Sequence, residues 1–168
     1  MKRQYLLFLS LLLTLAVSLT GCFQKAPKGF PKTVPLTMTV TSGGAPVADA
    51  TIVLKPNIKN SWSATGKTDS SGIAEMRTMQ GNFIKKGVPA EHYTVTITKM
   101  VDVSSKVTVI NDGTPAGAAA YAEEVERLRA ENPSEVPDFF GTIETSPLEI
   151  DISNTTKEYK IELNDYAG

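Results

Sequence analysis

A single histidine, His92, and a single cysteine, Cys22, are the residues of this 168-residue chain best suited to chemistry. Neither has the company that chemistry needs. A zinc site takes three or four protein ligands, usually His and Cys, and no HxxxH or HExxH spacing surrounds His92. Nucleophilic catalysis needs a base beside the nucleophile, yet there is no Gly-x-Ser-x-Gly elbow and no second histidine or cysteine. The carboxylates are scattered, and Glu123, Glu124 and Glu126 read as the solvated face of a helix. Asp69 and Asp112 sit in turn-forming sequence without the alternating acidic spacing of a calcium loop. His92 precedes Tyr93 in an alternating stretch, so its side chain is expected to point outward with Thr94. No catalytic residue, metal or cofactor is expected, and the chain reads as a non-enzyme.

Cys22 has a different context. Lys2 and Arg3 precede a run from Tyr5 to Leu19 that is apolar apart from Ser10, Thr14 and Ser18, and Thr20 and Gly21 supply small residues before the cysteine. A positive start, a short apolar stretch and a small-residue exit form a secretory signal. The run falls short of the ~20 residues that a spanning helix needs. A lone cysteine has no partner for a disulfide in its own chain, so the fold must rest on its apolar core.

Leu19-Thr20-Gly21-Cys22 resembles the lipobox of bacterial lipoproteins. That resemblance implies a signal peptide over 1–21, cut before Cys22, and acyl chains on the cysteine that hold the protein to the membrane. Several acyl chains give stable anchoring where one does not. The expected location is the cell envelope. Residue 23 is Phe rather than the Asp that resembles an inner-membrane retention signal, which points to the outer membrane if the host is diderm. Residues 22–35 read as a tether, with Pro27, Pro31 and Pro35 against regular structure and Lys25, Lys28 and Lys32 keeping it solvated. Fully extended it reaches ~40 Å at ~3.1 Å per residue.

From residue 36 to 168 the chain reads as one domain. Its formal net charge is −1, and loss of Lys2 and Arg3 with the signal makes it more acidic. No basic field is available for nucleic acid. Leu36, Met38 and Val40 alternate with threonines, as do Tyr93, Val95 and Ile97. Ala50, Ile52 and Leu54 share one face, as do Ala74 and Met76, then Leu148, Ile150 and Ile152, then Tyr159, Ile161 and Leu163. A further strand is expected near Ala64–Thr68 and a short one at Val107 and Val109, with a loop containing Gly81 and Gly87. Asn154-Thr155-Thr156 fits a glycosylation sequon but reads as a turn. Short alternating strands between turns predict an all-β, antiparallel β-sandwich of about seven strands.

One segment departs from that period. Thr114 to Pro133 reads as a short inserted helix over about 115–131, capped by Thr114, started by Pro115 and stopped by Asn132-Pro133. Glu123 and Arg127 are spaced to pair. Tyr121, Val125 and Leu128 give a narrow apolar stripe, which predicts a helix laid across the sandwich edge in preference to a partner-binding one.

Three stretches, "APVADATIVLKP", "GKTDSSGIAEM" and "GVPAEHYTVTITK", resemble the carboxypeptidase regulatory-like domain, a transthyretin-like (Ig-like) sandwich. Pro46, Val47 and Ala50 match its first element, Thr68, Asp69 and Gly72 its second, and Pro89, Tyr93 and Val95 its third; Glu91 stands where the family has glycine. The tail "VPDFFGTIETSPLEIDI" is similar to the end of planctomycete-type lipoproteins built on this domain. The resemblance implies a sandwich without catalytic activity of its own.

Trp62, Phe139 and Phe140 lie in expected loops and are the candidate binding surface, unless they cover the core beneath those loops. The expected function is a lipid-anchored, non-catalytic binding or assembly module that contacts another envelope protein. The alternative is a glycan-binding module using the loop aromatics.

Overall fold

Apolar side chains at every second position decide the first layer. Leu36, Met38 and Val40 are buried while Thr37, Thr39 and Thr41 are half-buried, which is how a strand sits with one face on a core. The computed structural model describes residues 26–58 and 61–166, and a single folded unit runs from Pro31 onward. Its strands begin with β1 (Thr33–Val34), β2 (Thr37–Ser42), β3 (Ala45–Pro46), β4 (Thr51–Pro56), β5 (Ala64–Lys67) and β6 (Ile73–Glu75). They continue as β7 (Arg77–Gln80), β8 (Phe83–Lys86), β9 (Val88–Pro89) and β10 (His92–Thr98). After helix α1 (Pro115–Glu131) come β11 (Glu149–Asp151) and β12 (Glu158–Glu162).

Six strands in the order β11-β10-β4-β5-β7-β8 form one sheet, antiparallel throughout. In the second sheet β2 pairs antiparallel with β3 and β6 and parallel with β12. β1 and β9 make a separate two-stranded ribbon. Met38, Val40, Ala74 and Ile161 of the second sheet belong to one apolar cluster with Ile52, Leu54, Val95 and Ile97 of the first. Each of these side chains other than Ala74 contributes roughly 1.5–3 kcal/mol through burial. The fold is an all-β sandwich, mostly antiparallel, with one α-helix among the described residues.

Among the described residues twelve strands stand where about seven are expected from sequence. Three of them, β1, β3 and β9, are only two residues long. The loop expected around Gly81 and Gly87 is instead the hairpin β7–β8, turned at Gly81-Asn82. Val107 and Val109 lie in no strand. The tether expected over 22–35 ends sooner, because Val34 is buried and pairs with Val88.

Several sequence signals have direct physical roles. The Asp69 carboxylate accepts from the amides of Ser71 and Ile73 at 2.8 and 3.1 Å and closes the turn into β6. Gly72 has φ 73°, and a Cβ there would meet the Val40 carbonyl oxygen at 2.5 Å. The Thr68 hydroxyl accepts from the Ala50 amide at 2.8 Å. The buried Tyr93 donates its hydroxyl to the Pro89 carbonyl at 3.0 Å, a bond that closes the corner into β10. Burial, then the Glu91 charge, pushes the Tyr93 phenol far above its ordinary range.

Helix α1 forms over the expected residues. The Thr114 hydroxyl accepts from the Gly117 amide at 3.0 Å and donates to Asp112 at 2.7 Å. Arg127 pairs with Glu124 at 2.9 Å and Glu131 at 2.5 Å, not with Glu123 as the spacing suggests. Leu128 alone in the helix is buried. Half-buried Tyr121 and Val125 line a cleft opposite the segment Met100–Ser104 that leaves β10.

Candidate functional site

Three open clefts adjoin the point where β10 leaves the sheet. Alternation ends at Thr98, and the chain then presents Met100, 76% exposed, with Val101 half-buried beside it. Three clefts share these two residues. One of about 700 Å³ opens toward Asp49, Lys67 and Glu135. One of about 560 Å³ runs between Met100, Arg129, Pro133 and Val136. One of about 350 Å³ separates Met100 from Tyr121 and Val125 of α1.

Charges around these clefts are largely engaged with one another. Lys67 pairs with Asp49 at 2.8 Å and Lys99 pairs with Glu135. The hydrogen bond and charge of Lys67 hold the Asp49 carboxyl below its ordinary range. Hydrogen bonds from Ser104 do the same for Asp102. Arg129 bonds Glu126 through one terminal nitrogen at 3.0 Å, while its buried Nε has no acceptor among the described residues. A buried donor left without an acceptor costs roughly 1–3 kcal/mol. The arrangement suits a partner surface that covers the exposed thioether of Met100.

The residues expected from sequence are not brought together. Cys22 lies outside the described residues. Phe140 is completely buried and stacks on half-buried Phe139 with ring centroids 4.3 Å apart, so it offers no face to a ligand. Its ring is held edge-on to Tyr166 at 6.2 Å. Trp62 is half-buried, and the adjacent Ser61 bonds Glu91 at the start of β10. Gly141, next to Phe140, lies beside the Thr98 side chain at the other end of β10. The three aromatics therefore form no common platform. Phe140 belongs to the core because the segment after α1 folds back beneath β10, a path that no local pattern encodes.

His92 is partly exposed and faces the carboxylates of β11. Its Nδ1 lies 2.8 Å from Asp151 and its Nε2 3.5 Å from Glu149. The Asp151 hydrogen bond, opposed by desolvation and aided by both charges, raises the imidazole above its ordinary value. Thr94 pairs with the exposed Lys55 and Glu149 on the face opposite Tyr93, as expected, but is itself buried there and bonds Asn57 at 3.0 Å. Among the described residues no group of three or more His, Cys, Asp and Glu is arranged to hold a metal ion. No described helix is long and apolar enough to cross a membrane.

Sequence reasoning passed over Met100, Val101 and Arg129. The available signal was the adjacent apolar pair Met100-Val101 after a lysine, just where alternation stops. Comparison with protein-family models, with curated proteins and with solved structures finds no match for the chain. The fold and the surface chemistry therefore carry the functional argument alone.

Proposed function

We propose that this chain is a lipid-anchored, non-catalytic module of the bacterial cell envelope that docks another envelope protein around Met100. The observation that carries the reading is the set of three adjoining clefts sharing one exposed methionine. A flexible thioether at the centre of concave surface is a contact that adapts to a protein partner. The leader ending in Leu19-Thr20-Gly21-Cys22 supports lipidation at Cys22 and placement in the envelope. The sandwich is compatible with the carboxypeptidase regulatory-like resemblance, whose domain is non-catalytic. Ion pairing of the cleft charges with one another supports binding in preference to catalysis.

In-cell photocrosslinking from position 100, with position 155 on the β11–β12 turn as control, tests the proposal. The expected result is one stoichiometric envelope protein captured from position 100 and not from 155, and lost in Cys22→Ser. Equal capture from both positions, or none from position 100, overturns it.

A further inference from the structure

The thioethers of this chain stand in sharply different surroundings. Of its five methionines, Met1 lies outside the described residues. Met38 and Met76 are enclosed in the apolar core, so an oxidant reaches them only when the sandwich opens. Met79 on β7 is 47% exposed and Met100 is 76% exposed. Of these residues only Met100 borders the three clefts at the end of β10. The cations bordering those clefts are each engaged with a carboxylate: Lys67 with Asp49, Lys99 with Glu135 and Arg129 with Glu126. A new acceptor at Met100 therefore meets water in the free protein. Once a partner excludes that water, it must compete with an existing ion pair for a donor.

We propose that Met100 is a redox-sensitive modification site, and that its conversion to the sulfoxide by a peroxide releases the docked envelope protein. This inference rests on docking around Met100 and names the regulation of that site. The sulfur lone pair attacks one oxygen of hydrogen peroxide, and an S–O bond forms as the O–O bond breaks. The proton on the transferred oxygen passes to the departing hydroxide, which leaves as water. Sulfur is oxidised by two electrons and the peroxide is reduced by two. Two thiols reverse the step, taking the oxygen away as water and becoming a disulfide. The sulfoxide replaces a flexible apolar contact with a polar one. Beneath a partner its oxygen is desolvated among cations that are already paired. A docked partner in turn shields the thioether, so bound chains react more slowly than free ones.

The test oxidises the purified full chain with hydrogen peroxide, removes the peroxide with catalase, and maps sulfoxides by peptide mass spectrometry. Met100 is expected to react first, Met79 more slowly, and Met38 and Met76 to stay reduced. A photocrosslinker at exposed position 102, beside the clefts, then reports capture from detergent-solubilised envelopes of the protein that position 100 captures in cells. Capture is expected to fall roughly tenfold on oxidation, the factor that burying one poorly paired polar group implies. Met100→Leu keeps an apolar side chain that peroxide does not oxidise, and is expected to hold its capture through the treatment. Met79→Leu is expected to lose capture as wild type does. Equal capture by reduced and oxidised chains overturns the proposal, as does a loss that persists in Met100→Leu, or a Met100 that reacts no faster than Met38. Those results leave docking intact, whereas a reduced wild type that captures nothing defeats the docking reading and the switch together.

Discussion

The long connection between β10 and β11 has two halves made by different physics. Residues 99–132 carry clear local signals: a capped, proline-started helix with Arg127 bridging two glutamates. Yet that half buries only Val103 and Leu128, and neither belongs to the main core cluster. Residues 136–148 have no regular structure beyond one short turn of 3₁₀ helix, Asp138–Gly141. Even so, Val136, Phe140 and Leu148 all belong to that cluster. Local hydrogen bonding determines the form of the first half, and burial determines the position of the second. The regular half is the one less tied to the core.

Substitutions can break that contrast. Phe140→Ala is expected to have the largest effect, a loss of roughly 3–5 kcal/mol in urea unfolding, because a wholly enclosed ring leaves a cavity. A loss below about 1 kcal/mol would mean that the core collapses into the space or does not need this segment. Leu128→Ala is expected to cost about 2 kcal/mol, the low end for such a truncation, since its surroundings lie outside the main cluster. A cost equal to that of Phe140→Ala would show the helix to be as integral as the sandwich. Thr114→Ala removes the cap on the Gly117 amide and is expected to cost about 1 kcal/mol. Hydrogen exchange should then quicken in the first turn of α1 and leave β10 unchanged.

The same contrast explains what could be read from sequence. The alternation of Leu36, Met38 and Val40 gave the face of β2, because a period of two maps directly onto burial. It could not give the neighbour of that strand, so the parallel pairing of β12 with β2 was not legible. Gly72 and Tyr93 were legible because each satisfies a local backbone demand. The hairpin β7–β8 was missed because Met79 and Ile84 stand exposed against the usual sense of the pattern, although Gly81-Asn82 was a two-residue turn signal. Of the candidate site, Phe140 takes the core-covering role that stood as the other reading, and tertiary path rather than local pattern buries it. The clefts around Met100 arise from three segments distant in sequence, so no single motif announces them.

His92 offers the smallest and most selective probe, at the end of β10 away from the connection. Its imidazole joins β10 to β11, the edge strand of the six-stranded sheet, through Asp151 and Glu149. The folded value is raised above the ordinary 6.5, chiefly by the Asp151 hydrogen bond. The stabilisation is therefore fully present below the unfolded value and is lost as pH rises through the folded one. Thermal melts of wild type and His92→Ala are expected to differ most near about pH 5.5 and to converge by about pH 8.5, either side of the ordinary histidine range. Asp49, Glu75 and Glu162 have lowered values, so their contributions run the other way and are lost as pH falls. Those terms are common to both proteins and cancel in the difference. A difference in melting temperature that stays constant with pH would mean that His92 acts through packing alone, and that the β11 edge is held by its backbone pairing with β10 and by Ile150 in the core.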